Sequence, residues 1–155
     1  MAAGPYAAEG VSHADLFDMS FPPEQADASV LWQVIPSGTN AERPFLIELD
    51  KFYGGNNRVA YLRSFAWSDT ARDAVLELGS DDGIKVWLNG EVVHANNATR
   101  GCTPNEDKVA VHLRDGWNVL LLKITQGAGE WSACARLRTP DGEPLDGWRA
   151  ALSPE

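Results

Sequence analysis

Carboxylates, amides and tryptophans are the side chains with chemistry to offer in this sequence. Glu77, Asp81 and Asp82 lie close enough along the chain for one carboxyl to act as acid and another as base, a task that needs the pair to face a cleft about 5 to 9 Å apart. The alternative is turn capping by Asp81 and Asp82 ahead of Gly83, through side chains that hydrogen-bond nearby backbone, with Glu77 facing solvent. His13, His94 and His112 are widely spaced. With no Gly-x-Ser-x-Gly elbow, no His-Glu-x-x-His and no glycine-rich phosphate loop, metallohydrolase and Ser-His-Asp chemistry are excluded, and the chain reads as a non-enzyme. Cys102 and Cys134 fit neither a zinc site nor a Cys-x-x-Cys pair; they form either one disulfide or a loop thiol and a buried thiol. Hard oxygen donors crowd the loops at Asp81, Asp82, Asn96, Asn97, Asn105 and Asp107. Calcium is the ion such hard donors would suit, in a structural role and without EF-hand spacing, with Asp81 and Asp82 as its expected ligands.

Binding a sugar takes flat apolar surface for the C–H face of a pyranose and a few amides or carboxylates for its hydroxyls. Six tryptophans are more than core filling demands. Trp32, Trp117 and Trp131 lie within apolar runs and are expected in the core. Trp67, beside Ser68-Asp69, and Trp148, in the polar tail, are expected nearer solvent. Trp87 stays open between the two, because Ile84, Val86 and Leu88 take one face of its strand and leave it on the other with Lys85 and Asn89.

These residues must be positioned by short strands. Asn89-Gly90 between two apolar runs is a hairpin signal, since a type I′ turn needs φ > 0 at both central residues. Asp81-Asp82-Gly83 reads as the preceding turn. Strands are predicted over Ser29 to Ile35, Phe45 to Leu49, Arg58 to Trp67, Ala74 to Leu78, Lys108 to Leu113, Trp117 to Thr125 and Trp131 to Leu137. Val59, Tyr61, Arg63, Phe65 and Trp67 share one strand face. The run from Val119 to Ile124 is apolar on both faces, as a central strand covered on each side would be. His94 to Asp107 is a long polar loop, a feature that is usually functional or mobile. Residues 1–27 are predicted to be an irregular lead-in pinned by Leu16, Phe17 and Phe21, and 139–155 a tail. The whole reads as one all-β domain over 1–155, a sandwich or barrel, with 14 glycines and nine prolines supplying turns. A formal net charge of -9 repels phosphate backbones and acidic lipid, and no apolar run approaches the roughly 18 residues that span a bilayer, so neither nucleic acid nor membrane is an expected partner.

Gly79-Ser-Asp-Asp-Gly-Ile-Lys-Val-Trp-Leu-Asn-Gly90, followed by Val109-Ala-Val-His-Leu-Arg-Asp-Gly-Trp-Asn-Val-Leu-Leu-Leu-Lys-Ile124, resembles the galactose-binding-domain-like jelly rolls attached to extracellular bacterial glycoside hydrolases and related enzymes. Gly4-Pro5-Tyr6, Phe21-Pro-Pro-Glu24 and Ala60-Tyr61-Leu62 resemble a subgroup of them, so the likeness extends over most of the chain. It implies a jelly-roll β-sandwich acting as a non-catalytic carbohydrate-binding or accessory module of a larger secreted enzyme, with a polysaccharide or glycan and neighbouring domains as partners. A scaffold or protein-interaction domain without a sugar site is the alternative. Because such modules commonly bind at loop ends, the resemblance implies a sugar face where the His94 to Asp107 and Tyr53 to Arg58 loops meet. Asn56, Asn57, Arg58, Asn96, Asn97 and Arg100 would bind hydroxyls there and Tyr53 would stack, with Trp67 the next candidate. Ser80-Asp-Asp-Gly83 before a strand is also similar to PA14-type barrels, in some of which an Asp pair holds Ca²⁺.

Overall fold

The computed structural model describes residues 1–154 and contains two antiparallel sheets. In the first, β1 (Ala2–Tyr6) and β10 (Trp148–Ala151) share one edge of β3 (Arg58–Ser68), which is followed by β8 (Gly116–Gln126), β5 (Ile84–Leu88) and β6 (Glu91–Asn96). The second runs β2 (Ile47–Glu48), β9 (Ser132–Arg138), β4 (Arg72–Asp81) and β7 (Asp107–Leu113). Side chains of a strand alternate between faces. On β8 this sends Leu120, Leu122 and Ile124 inward to meet Ile84, Val86 and Leu88 from β5 and Ala74, Leu76 and Leu78 from β4, forming the core between the sheets. Each such side chain, fully buried, contributes roughly 1.5 to 3 kcal/mol. The chain is thus an all-β sandwich, as its alternation and turns predict.

The first sheet has a second covered face. Leu121, Lys123 and Thr125 point the other way from the core, and the segment after β1 folds back across them. A short helix, α1 (His13–Leu16), capped by Ser12, delivers Leu16, and Phe21 follows; both pack on Val59 and Tyr61. A fully buried lysine, Lys123, pins this layer by donating to the Met19 carbonyl and to Glu24 Oε1 at 2.9 Å. Tyr61 donates its hydroxyl to the same carboxylate oxygen. Burial pushes the Lys123 ammonium below the usual lysine range, with Glu24 acting against that shift. A buried charge of this kind is tolerated only when paired and hydrogen-bonded.

Several local expectations are corrected. Ser29 to Ile35 forms no strand; only Gln33 pairs, exchanging two backbone hydrogen bonds with Ala2 at 2.7 and 2.8 Å. The run is split in burial: Trp32 packs on the N-terminal cluster and Ile35 on the core, while Leu31 and Val34 are 80% and 67% exposed. Of Phe45 to Leu49, only Ile47–Glu48 pairs before a 3₁₀ turn at Leu49–Lys51. The lead-in contains β1 and α1, and the tail contributes β10, so neither is irregular throughout. Asn89-Gly90 makes the hairpin turn with φ of 53° and 85°. Asp81-Asp82-Gly83 is a crossing from one sheet to the other, and Gly83 is needed for room: a Cβ there would lie 2.8 Å from Thr125 Oγ1 and 3.2 Å from Phe17.

Candidate functional site

The two loops expected to meet do so, through α1. His13 donates its backbone N–H to Asn57 Oδ1 at 3.0 Å, and its ring Nε2 lies 3.0 Å from Thr99 Oγ1. Asn97 Nδ2 donates to the Ala14 carbonyl at 2.9 Å. The amides assigned to sugar hydroxyls therefore hold the helix that bridges the loops. Asn96, on β6, donates to Asp107. Arg100 is locked in place: its guanidinium donates to Ser80 O and Oγ and to both Asp107 oxygens, the latter as close as 2.6 Å. Hydrogen bonding to Asp107 raises its pKa further. Asn56 and Asn57 are exposed beside Arg58, along a shallow depression shared with Ala7 to Ser12. Tyr53 offers no stacking surface, because it is only 7% exposed and packs on Trp131 with ring centroids 6.0 Å apart. Its position after a 3₁₀ turn that docks in the core was not visible in the glycine-rich loop that follows.

The polar loop itself is a cover over the second sheet, at Gly79, where the Thr103 carbonyl leaves no space for a Cβ. Arg136 Nη2 donates to Asn105 Oδ1 and to Glu77 Oε2. Glu77, expected to face solvent, is buried under Arg136, Arg138 and Lys108, and the hydrogen bonds from Arg136 hold its pKa below the usual carboxylate range. A carboxylate clamped by three cations is no acid–base partner for Asp81. Cys102 in this loop and Cys134 on β9 are free thiols with sulfurs 3.8 Å apart.

Asp81 and Asp82 were the expected calcium ligands. Asp82 Oδ1 accepts the Arg100 N–H at 3.0 Å and Oδ2 the Gly127 N–H at 2.7 Å, so both oxygens tie loops to the sheet crossing. Asp81 is buried; desolvation first, then the charge of Asp82, push its pKa up to about 7. Calcium takes six to eight oxygens. Among the described residues no group of three His, Cys, Asp or Glu converges on a point. The Asp82 oxygens are committed to backbone N–H groups and no third carboxylate or imidazole joins Asp81, so the described residues assemble no calcium site.

A concave surface does form on the outer face of the first sheet. Arg63 on β3, Leu121 on β8 and Trp87 on β5 pair across neighbouring strands and make a row along its floor. Chain from Pro23 to Trp32 makes the opposite wall, and the groove between them measures about 590 Å³. Trp32 and Trp87 are both half-buried and line the groove, with the Lys85 ammonium 5.7 Å from the centre of the Trp87 ring. The Arg63 guanidinium lies 4.1 Å from the centre of the Trp32 ring. Trp32 was expected in the core, and so was Trp117, which is half-buried at the far end of the same face; Arg149 lies over Trp117 at 5.1 Å and over Trp67 at 5.3 Å. Trp67 is remote from the loop end, since β3 starts there at Arg58 and reaches Trp67 only at its other end. Trp131 is fully buried as expected, and Trp148 packs on the core.

No family model and no curated protein matches the chain. Among solved structures, a β-glucosidase from Kluyveromyces marxianus is similar at TM-score 0.50 and 14% identity, over 66% of this chain and 14% of that one. The PA14 domain of the antifreeze protein MpAFP is similar at TM-score 0.49 and 13% identity, over 57% of this chain and 47% of that one. The match therefore spans less than half of either neighbour. At these identities the likeness is one of fold: an all-β sandwich.

The groove was missed because its two halves carry unlike signals. Arg63 and Trp87 are legible as outward residues of strands. Their opposing wall is irregular chain without a period, and its apolar run from Val30 to Ile35 mimics a strand.

Proposed function

We propose that this chain is a non-catalytic carbohydrate-binding or accessory module of a larger secreted carbohydrate-active enzyme, of the galactose-binding-domain-like class, and that the outer-face groove is its glycan site. One observation carries this reading: two half-buried indoles and a guanidinium line an open groove of sugar-binding size. Indole faces match the C–H side of a pyranose, and Arg and Glu side chains at their edges match hydroxyls. Rigid strands hold the floor, so little ordering is needed on binding. Among the described residues no nucleophile or acid–base pair lines the groove. A sandwich of this kind within a β-glucosidase chain is in keeping with an accessory role.

Retention on polysaccharide affinity gels tests the reading. Trp87→Ala and Val119→Arg, the latter filling the groove from an exposed position, should each abolish retention with the melting temperature changed by only a few degrees. Asn97→Ala at the loop end should leave it intact. For a single shallow site the dissociation constant should fall between micromolar and millimolar. The scaffold reading keeps one observation in its favour, the commitment of the loop-end amides to internal hydrogen bonds, and retention by no polysaccharide would favour it.

A further inference from the structure

Arg63 is placed unlike an arginine that only stabilises a surface. It sits mid-strand on β3, half-buried, with Trp32 over one face and Phe65 at 5.5 Å. Stacking occupies the face of the guanidinium and leaves its rim of N–H donors directed elsewhere. Nε is buried and has no hydrogen-bond partner. Among the described residues no carboxylate lies within ion-pair distance of this guanidinium, whereas Arg72, Arg100 and Arg136 each have one. The acid nearest in the groove wall, Glu24, is already shared by Lys123 and Tyr61. Burial lowers the Arg63 pKa, the mark of a cation that has lost water without gaining a counter-charge.

We propose that the groove selects a glycan bearing a carboxylate, a uronic-acid-type pyranose, with Arg63 binding the carboxylate and Trp87 the C–H face of an adjoining ring. The inference rests on the carbohydrate-binding reading above and names the sugar class for the same site. A planar carboxylate matches the two-pronged rim of a guanidinium, and such contacts are about twice as strong as neutral hydrogen bonds. Arg63 and Trp87 are separated by one strand, so their Cα atoms are about 10 Å apart, room for neighbouring rings of one chain to meet both. Leu121 between them presents an apolar floor to the ring face. The net charge of -9 disfavours densely charged polyanions at long range, so the attraction is local to the groove and suits a short or sparsely charged oligosaccharide.

The test is calorimetric titration with short oligomers of three uronic acids, α-1,4-galacturonate, β-1,4-glucuronate and β-1,4-mannuronate, each beside its carboxyl-reduced counterpart, in which every carboxylate has become a neutral CH₂OH. Ionic strength is held fixed throughout. At least one uronate should bind tenfold or more tighter than its reduced form, and Arg63→Gln should erase that difference while Arg63→Lys restores part of it. Val119→Glu guards against an Arg63 variant that folds poorly: a carboxylate placed at the groove should abolish uronate binding, while Val119→Gln weakens it less. Equal affinity for a uronate and its reduced form, unchanged in Arg63→Gln, would overturn the acidic preference and leave the carbohydrate reading standing. Binding of none of the six oligomers, with no neutral polysaccharide retained on affinity gels, would overturn both.

Discussion

Replacing Gly79 with alanine isolates the contact between the polar loop and the second sheet. Gly79 pairs with Cys134 in mid-sheet, and its φ is not positive, so alanine meets no backbone strain there. The obstacle is space. A Cβ built on Gly79 lies 2.3 Å from the Thr103 carbonyl oxygen, 2.9 Å from its carbon and 3.0 Å from Cys134 Sγ. A backbone carbonyl cannot swing aside as a side-chain tip does, so the loop must retreat by roughly 1 Å to reach ordinary contact. That movement pulls on the Arg100 bonds to Ser80 and Asp107, which anchor the loop three residues away. Overpacking of this kind costs about 1 to 3 kcal/mol, and the stiffer unfolded chain offsets about 0.4 to 1 kcal/mol. The net loss should be about 1 to 2 kcal/mol, a fall in melting temperature of roughly 3 to 6 °C for a domain of this size. Calorimetry should be run beside Gly101→Ala, in the same loop, where a Cβ meets nothing within 4 Å and the melting temperature should hold or rise slightly. A Gly79→Ala protein that melts at or above the parent temperature would refute the view of this loop as a packed cover.

Four further outcomes are expected. Glu24→Gln should cost roughly 3 kcal/mol by urea unfolding, because it strips the counter-charge from buried Lys123, and adding Lys123→Met should recover much of it; a single-variant loss under about 1 kcal/mol would refute the pinning role. Asp81 binds a proton more tightly folded than unfolded, so its contribution to stability is full below its unfolded pKa of 3.8 and is lost as pH rises through about 7; Asp81→Asn should match the parent near pH 3 and be the more stable protein at pH 8. Calcium or a chelator should move the melting temperature by less than about 1 °C, and a larger shift abolished in Asp82→Asn would reinstate the pair as cation ligands. Oxidised glutathione should join Cys102 to Cys134, releasing two glutathione thiols, lowering the mass by two hydrogens and raising the melting temperature by roughly 5 to 10 °C; thiols that remain open to alkylation would refute it.

What was legible followed from period and turn chemistry. Strands β5 and β7 alternate between more and less buried positions, and Asn89-Gly90 announces its hairpin. Val119 to Ile124 declares two covered faces, which the core and the N-terminal layer supply. Misreadings arose where one residue type serves two physical ends. Val30 to Ile35 has strand composition, yet only Trp32 and Ile35 pack on apolar surface while Leu31 and Val34 stay exposed, and Asp-Asp-Gly has turn composition because crossing between sheets also needs local hydrogen bonds and a missing Cβ. The amides of Asn57 and Asn97 look available to a ligand until α1 is seen to occupy them. No local pattern announces that Arg63 has no carboxylate within ion-pair distance among the described residues, since pairing is a property of the folded surface.

The layer pinned by Lys123 and Glu24 has a consequence for how such a protein changes over generations. One side of the groove belongs to strands paired along both edges, so its outward side chains can be exchanged but its backbone cannot be lengthened or shortened without losing register. Its other side is irregular chain from Pro23 to Trp32, fastened at an ion pair and otherwise laid over the sheet. Insertions, deletions and exchanges in that stretch can reshape the groove while every strand keeps its register. Selectivity and foldability are therefore governed by different stretches of sequence, and a library confined to residues 25 to 31 should yield altered ligand preference at little cost in folded protein.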